Sequence, residues 1–230
     1  MHCLFFFLIA FVFVAGILPI KVSAQAPPSD TVLRYEPHRK DNETKPALSF
    51  KSTQLLHHCQ QREKNHQKLS NVNGSNLQFH FSDCGNNTSI IKFLNLEVCP
   101  DPVLTPGQIA ITFKIQFKKT IVDKLRADVK LTKKVAGVHV KIPCIASVGS
   151  CVYDNICNKL ALIKHCPKPL VEHGFNCKCP FKQGIISIPW LKFSISRNIV
   201  PSGQYGLHLQ LYHMNALAGC FKLNLSFSKP

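Results

Sequence analysis

The residues with the most chemical potential in this chain crowd into positions 144–179. Cys144, Cys151, Cys157, Cys166, Cys177 and Cys179 lie there, together with His165 and His173. Thiolates and imidazoles are ligands for tetrahedral zinc, but this spacing fits no common finger. What the thiols do depends on the compartment. Leu4 to Ile20 is almost wholly apolar, and Val22-Ser23-Ala24 supplies small residues at a cleavage position. That reads as a signal peptide over residues 1–24, leading into the secretory pathway and on to the lysosome or the extracellular space. Thiols pair in so oxidising a route. The chain has 11 cysteines; Cys3 falls in the signal peptide, and an even set remains. Disulfides are therefore expected in place of a metal, and the count leaves their pairing open.

Other reactive groups are sparse. Residues 77–230 hold Asp83, Glu97, Asp101, Asp123, Asp128, Asp154 and Glu172 as their only carboxylates, and nothing nominates two of them as a facing pair. There is no Gly-x-Ser-x-Gly elbow, no His-Glu-x-x-His, no phosphate loop and no Gly-x-Gly-x-x-Gly. Neither an enzyme nor a cofactor is expected. The formal net charge is +16, most of it in residues 77–230. Such a surface favours anionic membranes or anionic glycans; nucleic acid is not expected along the secretory route. Asn42, Asn73, Asn86, Asn87 and Asn224 each begin an acceptor triplet for N-glycosylation. The triplets at Asn86 and Asn87 overlap, so one of the two is expected to be used.

The elements that carry these residues fall into two regions. Residues 25–76 are polar, with Pro27-Pro28, several charges and no apolar period, and read as a flexible glycosylated extension. From residue 77 the period becomes two. Ile109, Ile111, Phe113, Ile115 and Phe117 alternate with polar neighbours or alanine. Leu125, Ala127, Val129 and Leu131 do the same, as do Val138, Val140 and Ile142. Tyr205, Leu207, Leu209 and Leu211 form another row, and Phe221, Leu223, Leu225 and Phe227 a last one, with Asn224 on its polar face. Proline, glycine and asparagine punctuate the rows. The fold class is mostly β, an antiparallel two-sheet cup or sandwich. One short helix is expected within Tyr153–Lys164. Periodicity alone does not separate a filled core from a cup that holds acyl chains, because both turn Ile, Leu and Phe inward.

The cysteine-rich stretch carries more than a count. Lys134-Val135-Ala136-Gly137-Val138-His139-Val140-Lys141-Ile142-Pro143-Cys144 runs into Val148-Gly149-Ser150-Cys151 and then Cys157. Cys166-Pro167-Lys168-Pro169-Leu170, Gly174 and Cys177-Lys178-Cys179-Pro180-Phe181-Lys182-Gln183-Gly184 follow. With Phe81-Ser82-Asp83-Cys84, Pro100-Asp101-Pro102, Ser187-Ile188-Pro189, Gly203-Gln204-Tyr205 and Gly219-Cys220, these words closely resemble the ganglioside GM2 activator family of the ML lipid-recognition superfamily. The resemblance covers residues 78–230, with gaps.

The resemblance implies a β-cup with an apolar cavity whose members lift lipids from membranes. It implies a non-enzymatic partner for a lysosomal β-hexosaminidase, working on a membrane glycolipid. It also implies the pairs Cys84–Cys220, Cys144–Cys151, Cys157–Cys179 and Cys166–Cys177. Cys59 and Cys99 lie outside that set and are expected to pair with each other. The family's membrane-inserting loop matches Val135, Ala136, Gly137, Val138 and His139; His139 replaces a tryptophan, which weakens insertion or makes it pH-dependent. Ile199 and Val200 match a shortened rim segment. Trp190, the one tryptophan, is a candidate rim anchor, but plain packing is the favoured reading, since most tryptophans are largely buried. The expected cavity lining is Ile109, Ile111, Phe113, Ile115, Phe117, Val140, Leu207, Leu209, Leu211, Phe221 and Leu223. The rival functions are a carrier of phospholipid or fatty acid without an enzyme partner, and a cationic protein that binds anionic glycans or microbial membranes.

Overall fold

The computed structural model of the chain describes Cys59, residues 79–164, 166–195 and 200–230. The expected signal peptide, all of the extension but Cys59, and Asn42, Asn73, His165 and Ile199 lie outside the described residues.

From residue 79 onward the described residues form, in order, β1 His80–Asp83, β2 Ile91–Cys99, β3 Val103–Leu104, β4 Gly107–Phe117, β5 Leu125–Val135, β6 Val138–Lys141 and β7 Val152–Tyr153; then α1 Ile156–Ala161 and α2 Lys168–Glu172; then β8 Gly184–Ile195, β9 Gly203–His213 and β10 Ala216–Ser228. Two sheets form. One has the order β1-β10-β9-β5-β6, with β3 added on β10 and β7 on β5; the other is β2-β4-β8. All pairings are antiparallel except β3 with β10. One helix was expected; α1 occupies that segment, but Tyr153 belongs to β7, and α2 is an addition. Asn155 caps α1 by accepting the Cys157 N–H at 3.0 Å.

The expected rows turn inward from both sheets. Ile109, Ile111, Phe113, Ile115 and Phe117 are buried on β4, facing Leu125 to Leu131 of β5, Tyr205 to Leu211 of β9 and Phe221 to Phe227 of β10 in one core. The sheets approach closely at Gly219, where a Cβ would lie 2.9 Å from the Ile91 Cβ. A bulge between Leu217 and Gly219 makes that approach possible. Next to it, Phe93 meets Phe221 edge-on with centroids 4.7 Å apart. Asp83 ties the same edge together: its carboxylate accepts the Phe93 N–H and the Gly85 N–H, each at 2.8 Å. Toward the β5 and β8 side the helices intervene, α1 against β5 and α2 against β8. There Phe117, Phe181 and Phe175 stack in series, at 5.3 Å and 5.8 Å between centroids.

Candidate functional site

The β5–β6 hairpin is the first element of the candidate site. Val135 pairs with Val138, and only Ala136 and Gly137 lie between them. Both turn residues have positive φ, 49° and 85°. Two left-handed residues make the tight turn whose twist suits a two-residue hairpin. The register decides what the hairpin presents. Lys133 pairs with Val140 and Val135 with Val138 on the face that carries Leu131, whereas Lys134 pairs with His139 and Thr132 with Lys141 on the opposite face. The inward row of β5 thus runs past the core and ends in an exposed apolar tip. Val135 is 53% exposed, Val138 65% and Val140 50%.

This corrects one expected lining residue. Val140 does not share the buried interior with the other rows; it sits on the edge strand β6, where every residue is exposed. The remaining expected lining residues, Ile109, Ile111, Phe113, Ile115, Phe117, Leu207, Leu209, Leu211, Phe221 and Leu223, all lie in the core between the sheets. One rim assignment changes as well. Val200 is 3% exposed and belongs to the core. The Tyr205 hydroxyl donates to the Pro201 carbonyl at 2.7 Å and fixes the adjacent bend. Burial pushes that phenol's pKa up. Trp190 is half-buried on the outer face of the three-stranded sheet, against Cys59, Cys99 and Ala110. A bulge in the pairing of β4 with β8 turns it there. Packing, not rim anchoring, is the role its position supports.

The thiols are all used among the described residues. Cys59 is joined to Cys99, Cys84 to Cys220, Cys144 to Cys151, Cys157 to Cys179 and Cys166 to Cys177. His173 Nδ1 lies 2.7 Å from the Pro169 carbonyl oxygen in the turn after α2. A second His–Cys group that sequence reading missed, Cys84, His208 and Cys220, comes within 4.8 Å, but its two sulfurs are bonded to each other. Cys144–Cys151 closes the loop between β6 and β7. Ser150 fixes that loop to β5, its Oγ accepting the Leu131 N–H and donating to the Leu131 carbonyl, both at 3.0 Å. The hairpin is thus held from below by a covalent and a hydrogen-bonded brace.

The glycan acceptors among the described residues are exposed: Asn86, Asn87 and Asn224. The Asn86 carboxamide oxygen accepts the hydroxyls of Thr88 and Ser89 at 2.8 and 2.9 Å.

A two-sheet cup with an apolar hairpin tip and this disulfide set can be compared with known proteins. The ML domain model matches residues 78–227. The chain belongs to the ML domain family. Ganglioside GM2 activator of Macaca fascicularis is 32% identical over 158 residues, covering 64% of this chain and 82% of that protein. Ganglioside GM2 activator of Mus musculus is 31% identical over 169 residues, covering 69% and 84%. A Niemann-Pick type C2 protein from Japanese carpenter ant is similar at 17% identity and a TM-score of 0.38, over 65% of this chain and 99% of that one. This is a GM2-activator-like ML protein with one disulfide, Cys59–Cys99, that the family resemblance did not imply.

Proposed function

We propose that this ML protein binds a membrane lipid between its two sheets, lifts it from the bilayer, and presents it to a glycosidase. The ligand is a ganglioside-like glycolipid, and the partner a lysosomal β-hexosaminidase. The protein itself performs no catalysis; it changes where the lipid's sugar can be reached. The observation that carries this reading is the hairpin tip, where core-facing residues of β5 continue into exposed Val135, Val138 and Val140. Burying a lipid chain gains about 0.8 kcal/mol per methylene against water, but a bilayer already shelters those methylenes. Extraction is then nearly balanced, and a carrier needs a way to dock as well as an interior to fill. Lys133, Lys134 and Lys141 flank the tip, and each well-placed cation contributes about 1 kcal/mol at an anionic leaflet.

Lipid transfer tests the reading. Delipidated protein is mixed with vesicles containing ganglioside and phosphatidylserine, repurified and examined by mass spectrometry. Bound ganglioside is the expected result, with faster hexosaminidase hydrolysis of the membrane-held lipid. Protein that takes up no lipid at neutral or acidic pH would sink lipid binding. Uptake without stimulation would sink the enzyme partnership alone. A second reading, a carrier of phospholipid or fatty acid with no enzyme partner, is favoured by His139 at the hairpin and by Trp190 packed away from it. Retention of phospholipid over ganglioside in the same assay selects it.

A further inference from the structure

On the outer face of the larger sheet, the cations centred on Lys130 and Lys222 are ones that the proposed docking of the hairpin does not use. The register aligns Lys130 of β5 with His208 of β9, and His208 with Lys222 of β10. Strands lie about 4.8 Å apart, so the two lysines stand roughly 10 Å apart with the imidazole between them. One step along, Lys141, Thr132, Gly206, Asn224 and His80 form the neighbouring row. Lys134 and His139 form the next. Lys130, Lys222, Lys141, His139 and His80 are exposed. At the centre, Gly206 leaves the backbone bare beneath Thr132 Oγ1 and Asn224 Oδ1.

Among the described residues, little on this face neutralises those cations. Asp128 is the carboxylate that β5 turns outward, and Arg126 engages both its oxygens at 2.8 Å. Like charges on facing strands repel and cost stability. Desolvation by burial, then Lys222 and Lys130, lower the pKa of His208, as befits a cation row that lacks a counter-anion. We infer that the face centred on Lys130, His208 and Lys222 binds a linear anionic polysaccharide of the sulfated class. Sulfate oxygens accept from the lysine ammonium groups, and a chain lying across the strands meets the cations of successive rows.

A membrane fits this face less well. Lys130 is four residues from Lys134 along β5, or about 13 Å at 3.3 Å per residue. The tip valines that would enter a bilayer lie on the opposite face of the hairpin from His139 and Lys141. A flat bilayer touching the tip leaves the Lys130 row farther away than the roughly 8 Å screening length at physiological salt. A flexible polymer has no such constraint.

Heparin binding at physiological salt tests the inference, with unsulfated hyaluronan as the control polymer. All proteins carry Asn224→Gln, so that no glycan stands beside the row. The parent is expected to bind heparin and not hyaluronan, and Lys130→Gln/Lys222→Gln to bind heparin about tenfold or more weakly. Lys114→Gln/Lys182→Gln, which removes the same charge away from this face, is expected to bind like the parent. The inference is overturned if the parent binds both polymers alike, or if the Lys130/Lys222 variant keeps its heparin affinity. Equal loss in both charge variants also overturns it, since net charge alone then governs. If the Lys130/Lys222 variant loses uptake from anionic vesicles but not heparin, the face docks on membranes and the inference falls. Lipid transfer by Val138→Asp reads the proposed function separately, and heparin affinity is expected to survive that change.

Discussion

Where β9 crosses the outer face, His208 Nε2 lies 3.3 Å from the Cys220 sulfur, with Lys130 and Lys222 on the flanking strands. Desolvation, then Lys222, then Lys130, lower its pKa from the ordinary 6.5. The unfolded chain therefore binds this proton more readily than the native one. Stability contributed by neutral His208 is complete above about pH 6.5 and is lost as pH falls from there through the lower native value. Lys222→Gln removes one repulsion, so the imidazole is expected to titrate at higher pH in an NMR titration, with less acid destabilisation. An unchanged midpoint would count against the electrostatic cause. Gly219 makes the other residue-level claim. A methyl there meets Ile91 of the opposite sheet at 2.9 Å, so Gly219→Ala is expected to cost about 1–3 kcal/mol in urea unfolding. Of these two residues, sequence reading caught only Gly219, as part of a family word. His208 looks like any polar position of an alternating strand until register sets it between two lysines.

At the scale of elements, the strands with unbroken alternation were legible, and those with bulges were not. β4, β5, β9 and the last stretch of β10 keep strict period two, and their rows were read correctly from sequence. β2 shifts register between Phe93 and Asn95, and β8 shifts opposite Ile111 and Phe113. Each bulge inserts a residue and flips the parity, so one strand shows two half-patterns out of phase. For that reason the alternation of β8 could not tell which face Trp190 takes, and rim anchor and packing residue both stayed open. The hairpin was legible as a loop, but its edges were not: which valines face the core side depends on the Val135–Val138 register. Two predictions separate its geometry from its chemistry. Ala136 holds φ at 49°, a strained choice for alanine, and Ala136→Asn is expected to stabilise the fold by about 0.5–1 kcal/mol in urea unfolding. Val138→Asp changes an exposed site, so stability should move by less than about 0.5 kcal/mol. Transfer from anionic vesicles should fall about tenfold or more, since the Val138 side chain can no longer enter the bilayer. Unaltered transfer by Val138→Asp would remove the hairpin from the docking surface.

At the scale of the molecule, the two sheets carry unlike outer faces. The larger presents its cations to solvent, and the smaller is stapled to an upstream part of the chain through Cys59. Ala110, on the outward side of β4, is fully buried beneath Cys59, Cys99 and Trp190. Only long-range contact explains a covered alanine on the polar side of an alternating strand, which is why sequence periodicity could not assign it. The arrangement makes Trp190 a reporter for the whole assembly, because the chain has one tryptophan and it packs on a disulfide, an efficient quencher of indole emission. Cys59→Ser/Cys99→Ser removes both the quencher and the staple across 40 residues of sequence. Tryptophan emission should brighten, and stability should fall by about 2–4 kcal/mol. Lipid uptake should persist, since the hairpin and the core between the sheets lie on the other side of β4. Anionic vesicles added to the unaltered protein should leave the emission maximum in place, because Trp190 stays packed while Val135 and Val138 insert. A blue shift on vesicle addition would return Trp190 to the rim, and lost uptake in a folded double variant would make the staple part of the lipid site.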